Sequence, residues 1–559
     1  MNLFVVAEGG GRPADALASV VDRLPFFPGR SIETWSADGC SAAWISNADE
    51  RYVHTEPSRL AMFSGRPILW TGASSADGRA PLDPRYWLDP DLEDLDGRFA
   101  AVRVVGGRLV AACDALGAYP LYETSVAGAR LVSNSAEALR VARGGGSMSV
   151  PVLASLLGGG WSLEGDPVWK GIERIPAAGA RVVPGKGFDA DRAAALAAES
   201  VRALADWPGR PNVVPVTGGR DSRLVLGAAL AAGIELETTT GGEPGHPDVE
   251  IGRELARIAE VPHRILEHDP HGSVTSDWRR AAELLSLTTS GTSSLSDAAG
   301  FPFGPRPGPP ALWHSGQGGE VARSYYGLGS DEPVDQLYRA FVGRRPGRSE
   351  ILGDEGERLV RAQIESFVRG TLAAGVAPVD MPDMFYLERR MGTWAGPSHG
   401  AVEFVRDTTS PLWSRRLVQH ELGLPARDRA REVFHLEVLK RLAPQLVDVP
   451  FEDGRPWRAR EDELTRRLRG AQTLARKVRA ELSRRARAAA GRSAAAADDP
   501  FARVLPEIRD AVLSQPDHPA WAVLDRPRVE TLLGSDPVAL DTMSRYYAWR
   551  LATVFGPTA

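Results

Sequence analysis

The hydrophobic pattern changes character once along the chain. Arg98-Phe99-Ala100-Ala101-Val102-Arg103-Val104-Val105 and Arg108-Leu109-Val110-Ala111-Ala112 flank Gly106-Gly107 and predict a β-hairpin. Residues 1 to about 145 read in this way, as strands and turns, up to the break at Gly144-Gly145-Gly146-Ser147. An apolar helix is expected at Val150–Leu157. Then a short valine-rich run, Asn212–Val216, enters a loop, and a helix starts near Ser222. Leu224, Leu226 and Leu230 lie among its small alanines, and Gly233 is a stop. Ile234–Thr240 predicts a second strand and Asp248–Glu260 a second helix. Strand, helix, strand, helix at this spacing implies a parallel sheet with right-handed crossovers. Ala311–His314 adds a strand, Phe385–Trp394 and Arg431–Leu442 add helices, and Gly300–Pro310 is a proline-rich loop. Residues 458–492 are dense in arginine and alanine, with Leu464, Leu468, Leu474, Val478 and Leu482 at helical spacing; Ser493–Asp499 is of low complexity. The last sixty or so residues are helical, carry Trp521, Tyr546, Tyr547 and Trp549, and are expected to pack back on the parallel-sheet part.

The fold class is therefore α/β with an α+β amino-terminal part. One domain is expected over 1–146 and another over 147–559, with a basic helical insertion at about 458–499. The length of 559 residues agrees with at least two domains at roughly 150 residues each. Composition is ordinary for a globular protein, 43% apolar and 25% charged. A net charge of −6 gives no argument for nucleic acid or an anionic membrane. The two cysteines, Cys40 and Cys113, exclude a disulfide framework and read as core thiols. No signal peptide and no membrane span are visible, so a cytoplasmic location is expected.

Chemistry concentrates in Thr217-Gly218-Gly219-Arg220-Asp221-Ser222, between strand and helix. Glycines there let backbone approach a ligand, and the following helix N-terminus points N–H groups at it. There is no Lys-Ser/Thr of a Walker loop and no third glycine of a dinucleotide fold. The six residues resemble the Ser-Gly-Gly-x-Asp-Ser pyrophosphate loop of the asparagine synthetase superfamily, whose members split ATP to AMP and pyrophosphate. About a hundred residues on, Ser315-Gly316-Gln317-Gly318-Gly319-Glu320 resembles that family's second glycine turn. The resemblance implies ATP at Pro215, Thr217, Gly218, Gly219, Asp221, Ser222, Gly241, Ser315 and Gly316, with Mg2+ between Asp221 and Glu320.

Other segments carry the resemblance further and also depart from it. The stretch from Leu95-Asp96-Gly97 to Tyr119-Pro120-Leu121-Tyr122 is similar to the family's glutaminase-type β-sandwich domain. The nucleophilic cysteine that follows the initiator methionine there is Asn2 here, whose amide forms no thioester, so this domain reads as a retained scaffold. Trp169–Gly179 resembles the hairpin joining the two domains, and Ser410–Val418 a helix entry. Gln317 stands where asparagine synthetases have a glutamate base and cannot accept a proton. Glu388 lies where β-lactam synthetases place their catalytic glutamate and is the candidate base. Arg455 is the candidate for the absent phosphate-neutralising lysine.

Within the superfamily the chain looks most like a lasso peptide cyclase. That resemblance implies a leader-free core peptide as substrate, with an Asp or Glu side chain adenylated and joined to the peptide's own amino terminus. A leader-binding protein and a leader peptidase are the partners it implies. A β-lactam-synthetase-like enzyme acting on a small molecule and a catalytically dead binding scaffold are the alternatives.

Overall fold

The computed structural model describes residues 2–47, 52–70, 76–77, 95–179, 181–185, 187–205, 210–266, 272–297, 310–343, 349–452, 454–461 and 499–556. Most of the Gly300–Pro310 loop and of the basic, alanine-rich segment lies outside them. No helix among the described residues is long and apolar enough to cross a membrane.

The amino-terminal strands are β1 (Asn2–Glu8), β2 (Glu33–Ala37), β3 (Cys40–Ser46), β4 (Val53–Glu56), β5 (Arg59–Trp70), β6 (Ala76–Asp77), β7 (Leu95–Val105), β8 (Arg108–Cys113), β9 (Tyr122–Val126) and β10 (Ala129–Ser133). They form two antiparallel sheets. The β7–β8 hairpin stands where the glycine pair places it, in register Val105↔Arg108. Phe4, Val6 and Trp44 of one sheet meet Leu60, Met62 and Val102 of the other in one buried cluster, which also holds Cys40 and Cys113. The Trp169–Gly179 hairpin does not form. Its one strand is Glu173–Arg174 (β11), which pairs antiparallel with β9 at the edge of the first sheet, while Trp169 and Ala177 make single bridges to Met148 and Cys113. A strand of two residues has no periodicity of its own; its partner lies fifty residues earlier, and the sheet edge decides its pairing.

Beyond this point a third sheet is parallel throughout, in the order β14-β13-β12-β15-β16. Its strands are β12 (Asn212–Pro215), β13 (Leu236–Gly241), β14 (His263–Leu266), β15 (Leu312–His314) and β16 (Asp407–Thr409). Val213 and Val214 are fully buried, as a valine-rich strand covered on both faces should be. The helix Asp221–Ala232 follows β12 and ends at Gly233, which takes the left-handed φ of +68°. Leu224 and Leu226 bury against the helices Ala190–Ala205 and Val433–Leu442. The chain steps from β12 outward to β13 and β14, then returns to the other side of β12 with β15. That reversal makes a crevice above the carboxyl ends of β12 and β15, where ligands of open α/β sheets bind. The carboxyl-terminal helices Pro500–Leu513, Arg526–Leu533 and Thr542–Phe555 share a core with Val150–Gly159 and Asp354–Ala373.

Candidate functional site

The first turn leaves β12 in the crevice. Thr217 N–H donates to Ser222 Oγ (3.2 Å), and Gly219 N–H to Thr217 Oγ1 (3.1 Å), so the two hydroxyls set the curvature. No side chain caps the helix that starts at Asp221, and its first N–H groups stay available to a ligand. Gly218 N–H donates to Asp248 Oδ1 at 2.7 Å, from the helix that follows β13. A Cβ on Gly218 would stand 3.0 Å from that oxygen and 3.2 Å from Glu452.

The second turn leaves β15 and lies directly on the first. A Cβ on Gly316 would be 2.8 Å from Ser222 N and 3.0 Å from the carbonyl carbon of Asp221. On Gly319 it would be 2.6 Å from Asp221 Oδ1. These are glycines because the two turns touch. Gly318 has a further reason, a φ of +107° against the buried Trp413. Glu320 Oε2 accepts from Gly318 N–H at 2.9 Å. Gln317 Oε1 is engaged by His399 Nδ1 at 2.9 Å.

Asp221 and Glu320 thus face one space, and their ionisation differs. Burial pushes Asp221 up, but the His435 hydrogen bond (Nε2 to Oδ1, 2.8 Å), with Arg323, His435 and Arg220 as nearby charges, outweighs it and holds the carboxyl below its usual range. Glu320 is pushed up to about 7, by burial first and the Asp221 charge second. Arg323 bridges the pair, 3.3 Å from Asp221 Oδ2 and 3.9 Å from Glu320 Oε1. Among the described residues no group of three or more His, Cys, Asp or Glu side chains is gathered around a metal position. Two carboxylates with the remaining positions left to phosphate oxygens and water are what Mg2+ commonly takes, and the donor set fits that ion.

Pro215 and Gly241 end neighbouring strands on this rim, β12 and β13, and Ser315 opens the second turn beside Gly316. Arg455 and Glu388 stand apart from the two carboxylates. Arg455 is clamped by Glu432 through two hydrogen bonds, Nη1–Oε2 at 3.0 Å and Nη2–Oε1 at 2.8 Å. Glu432 also meets Arg220 (3.1 Å) and Arg458 (3.5 Å), from a left-handed backbone at φ +63°. Arg220, Arg223 and Arg455 all stack on Phe451, at 5.3, 4.6 and 4.6 Å. The loop expected to carry a phosphate cation therefore packs on the first turn, but Arg455 is one member of an arginine cluster whose carboxylate is Glu432.

Glu388 bonds Arg181 (Oε1–Nε 2.5 Å, Oε2–Nη2 2.9 Å) on the helix Tyr386–Ala395, which is π-wound rather than α-helical. Residues two apart do not share a helix face. Tyr386 is the one turned to the crevice, packed on Tyr325 and Tyr326 at 5.0 and 5.6 Å. Burial, then the Glu320 charge, raises its phenol well above the usual value, so it stays protonated. His435, Arg323, Asp248 and Tyr386 were not legible as site residues. His435, Asp248 and Tyr386 are lone polar residues on helices, brought in by tertiary packing, and Arg323 follows Glu320 by three residues in the turn after it. No protein-family model matches the chain, and no curated protein matches it.

Proposed function

We propose that this chain is an ATP-dependent, AMP-forming amide ligase that closes a macrolactam on a leader-free core peptide, as lasso peptide cyclases do. The observation that supports it most is the contact of two glycine turns at a sheet switch point, with Asp221 and Glu320 facing one space. In this reading the polyphosphate of ATP lies against the turn of Gly218 and Gly219 and the uncapped helix N-terminus, and Thr217, Ser222 and Ser315 offer hydroxyls. Pro215 and Gly241 flank the adenine, and the backbone of Gly316 closes the opposite side. Mg2+ held by Asp221 and Glu320 would draw charge from the phosphates. The arginine cluster around Glu432 adds positive potential near the first turn, where pyrophosphate leaves.

The peptide's Asp or Glu carboxylate attacks the α-phosphorus and expels pyrophosphate. The amino terminus then attacks the acyl carbon, expels AMP and sheds one proton. Glu388 is the acceptor in this reading, provided that the amine approaches from its face of the helix and displaces Arg181. Tyr325, half exposed beside the second turn, with exposed Leu328 and Val379, offers an apolar surface to hold the peptide near the crevice.

The test is incubation of the full chain with ATP, Mg2+ and leader-free candidate core peptides. The reading expects peptide-dependent AMP and pyrophosphate, and a product lighter by one water. AMP release driven by a small carboxylic acid instead would favour a small-molecule ligase; no AMP with any substrate would leave a binding scaffold.

A further inference from the structure

A second cavity, of about 380 Å3, opens where the amino-terminal sheets meet the helix Tyr386–Ala395. Its walls include Leu116 and Gly117 from the turn after β8, Glu164 and Arg174 from the segment leading to β11, and Glu388 and Arg389. No lining residue belongs to the two glycine turns.

Most of its charges are satisfied. Arg181 pairs with Glu388, the Arg174 guanidinium donates to the carbonyls of Gly117 and Gly392, and Asp166 accepts from the Arg174 backbone N–H. Two are not. Among the described residues, the side chains of Glu164 and Arg389 have no hydrogen bond and no oppositely charged atom within the 4.0 Å of an ion pair. Arg389 Nε is buried without an acceptor, its guanidinium 5.2 Å above the Phe367 ring. Burial lowers the pKa of Arg389, against the charges of Glu388 and then Glu164, and burial raises that of Glu164, against the charge of Arg389. Two opposite charges that face one space without closing on each other leave room for a molecule that completes both.

We propose that this cavity binds a small zwitterion of the α-amino-acid class, its carboxylate on Arg389 and its ammonium on Glu164. The depth order follows from burial: Glu164 is exposed at the mouth and Arg389 lies inside, so the ligand enters carboxylate first. Charge balance argues against a polyanion, since the three arginines Arg174, Arg181 and Arg389 are matched by Glu164, Asp166 and Glu388. The volume is at the lower end for ligand pockets and suits a single amino acid rather than a nucleotide. This inference does not rest on nucleotide binding, although the cavity shares Glu388 and Arg181 with the proton-acceptor role proposed above.

The experiment uses the full-length protein and the twenty standard free L-amino acids. Thermal-shift screening selects the best binder, and calorimetry compares it with its N-acetyl and carboxamide derivatives. The expected result is saturable binding that falls about tenfold or more when either end is blocked, the size of one lost charge-assisted hydrogen bond. Glu164→Gln, a change at the exposed mouth that leaves the core intact, should weaken binding by a similar factor. Arg389→Gln should abolish it, with partial recovery in Arg389→Lys. Absence of binding by all twenty at about 10 mM, equal binding of the blocked derivatives, or wild-type affinity in Glu164→Gln would each overturn the proposal.

Discussion

Glu320 is a carboxyl in two minds about its proton, and that is measurable without any ligand. Its folded pKa of about 7 lies above the ordinary glutamate value near 4.3, so the folded state holds the proton more tightly than the unfolded state. The stabilisation is complete below the ordinary value and is lost as pH rises through about 7. Glu320→Gln removes that dependence. The metal-free variant should gain stability over wild type at about pH 8, and the gap should close by about pH 4, read by denaturant unfolding at both values. A gap that does not change with pH would refute the assignment. Gly316→Ala tests the packing of the turns: a Cβ at 2.8 Å from Ser222 N must push backbone, and a cost of about 1–3 kcal/mol is expected in the same assay. Asp221 and Glu320 were legible because each sits in a glycine-rich turn after a predicted strand. His435, which holds Asp221 from 214 residues further along the chain, was not; a lone histidine in a helix carries no signal of what it will meet.

At the scale of elements, local pattern was reliable where burial was continuous. The valines of β12, the leucines and alanines of Asp221–Ala232 and the glycine pair between β7 and β8 all gave their elements directly. It failed where a partner decides the conformation, as at β11 and in the π-wound Tyr386–Ala395, where winding alters which residues share a face. One helix is completed from outside itself. Asp96, on β7, accepts from Ser414 Oγ (2.7 Å), from Arg415 N–H (2.7 Å) and from Trp70 Nε1 (2.9 Å), and so caps Arg415–Leu422 across the molecule. Asp96→Ala should cost about 2 kcal/mol or more, because a cap is lost and buried donors are orphaned together. A double-mutant cycle with Ser414→Ala should show coupling; full additivity would mean that Asp96 acts elsewhere.

Across the whole molecule the amino-terminal sheets act as a foundation for the crevice. Asn2, at the position where the sequence resemblance would put a glutaminase nucleophile, is 1% exposed. Its amide donates to Phe63 O (2.7 Å) and accepts from Ser46 Oγ (2.7 Å). A residue tied at both ends of its amide is structural. Among the described residues, ion pairs join this half to the later part of the chain at buried Arg98–Glu403 (2.5 Å), at Arg66–Asp407 (2.7 Å), where β16 starts, and at Arg23–Glu283 (3.0 Å). Breaking the buried pair with Glu403→Ala should cost about 3–5 kcal/mol, since Arg98 is left charged and enclosed. Near-UV and far-UV signals should still shift together; separate transitions would show that the two halves fold independently.

The account stands on one claim, that the two turns grip a magnesium-bound nucleotide triphosphate between Asp221 and Glu320. Calorimetric titration with Mg2+ and α,β-methylene-ATP, whose α,β linkage resists cleavage, tests it most directly. Wild type should bind only with the metal present, and Asp221→Ala and Glu320→Ala should each weaken binding by about a hundredfold, roughly 2.7 kcal/mol. Wild-type affinity in both variants, or no binding by wild type itself, would contradict it.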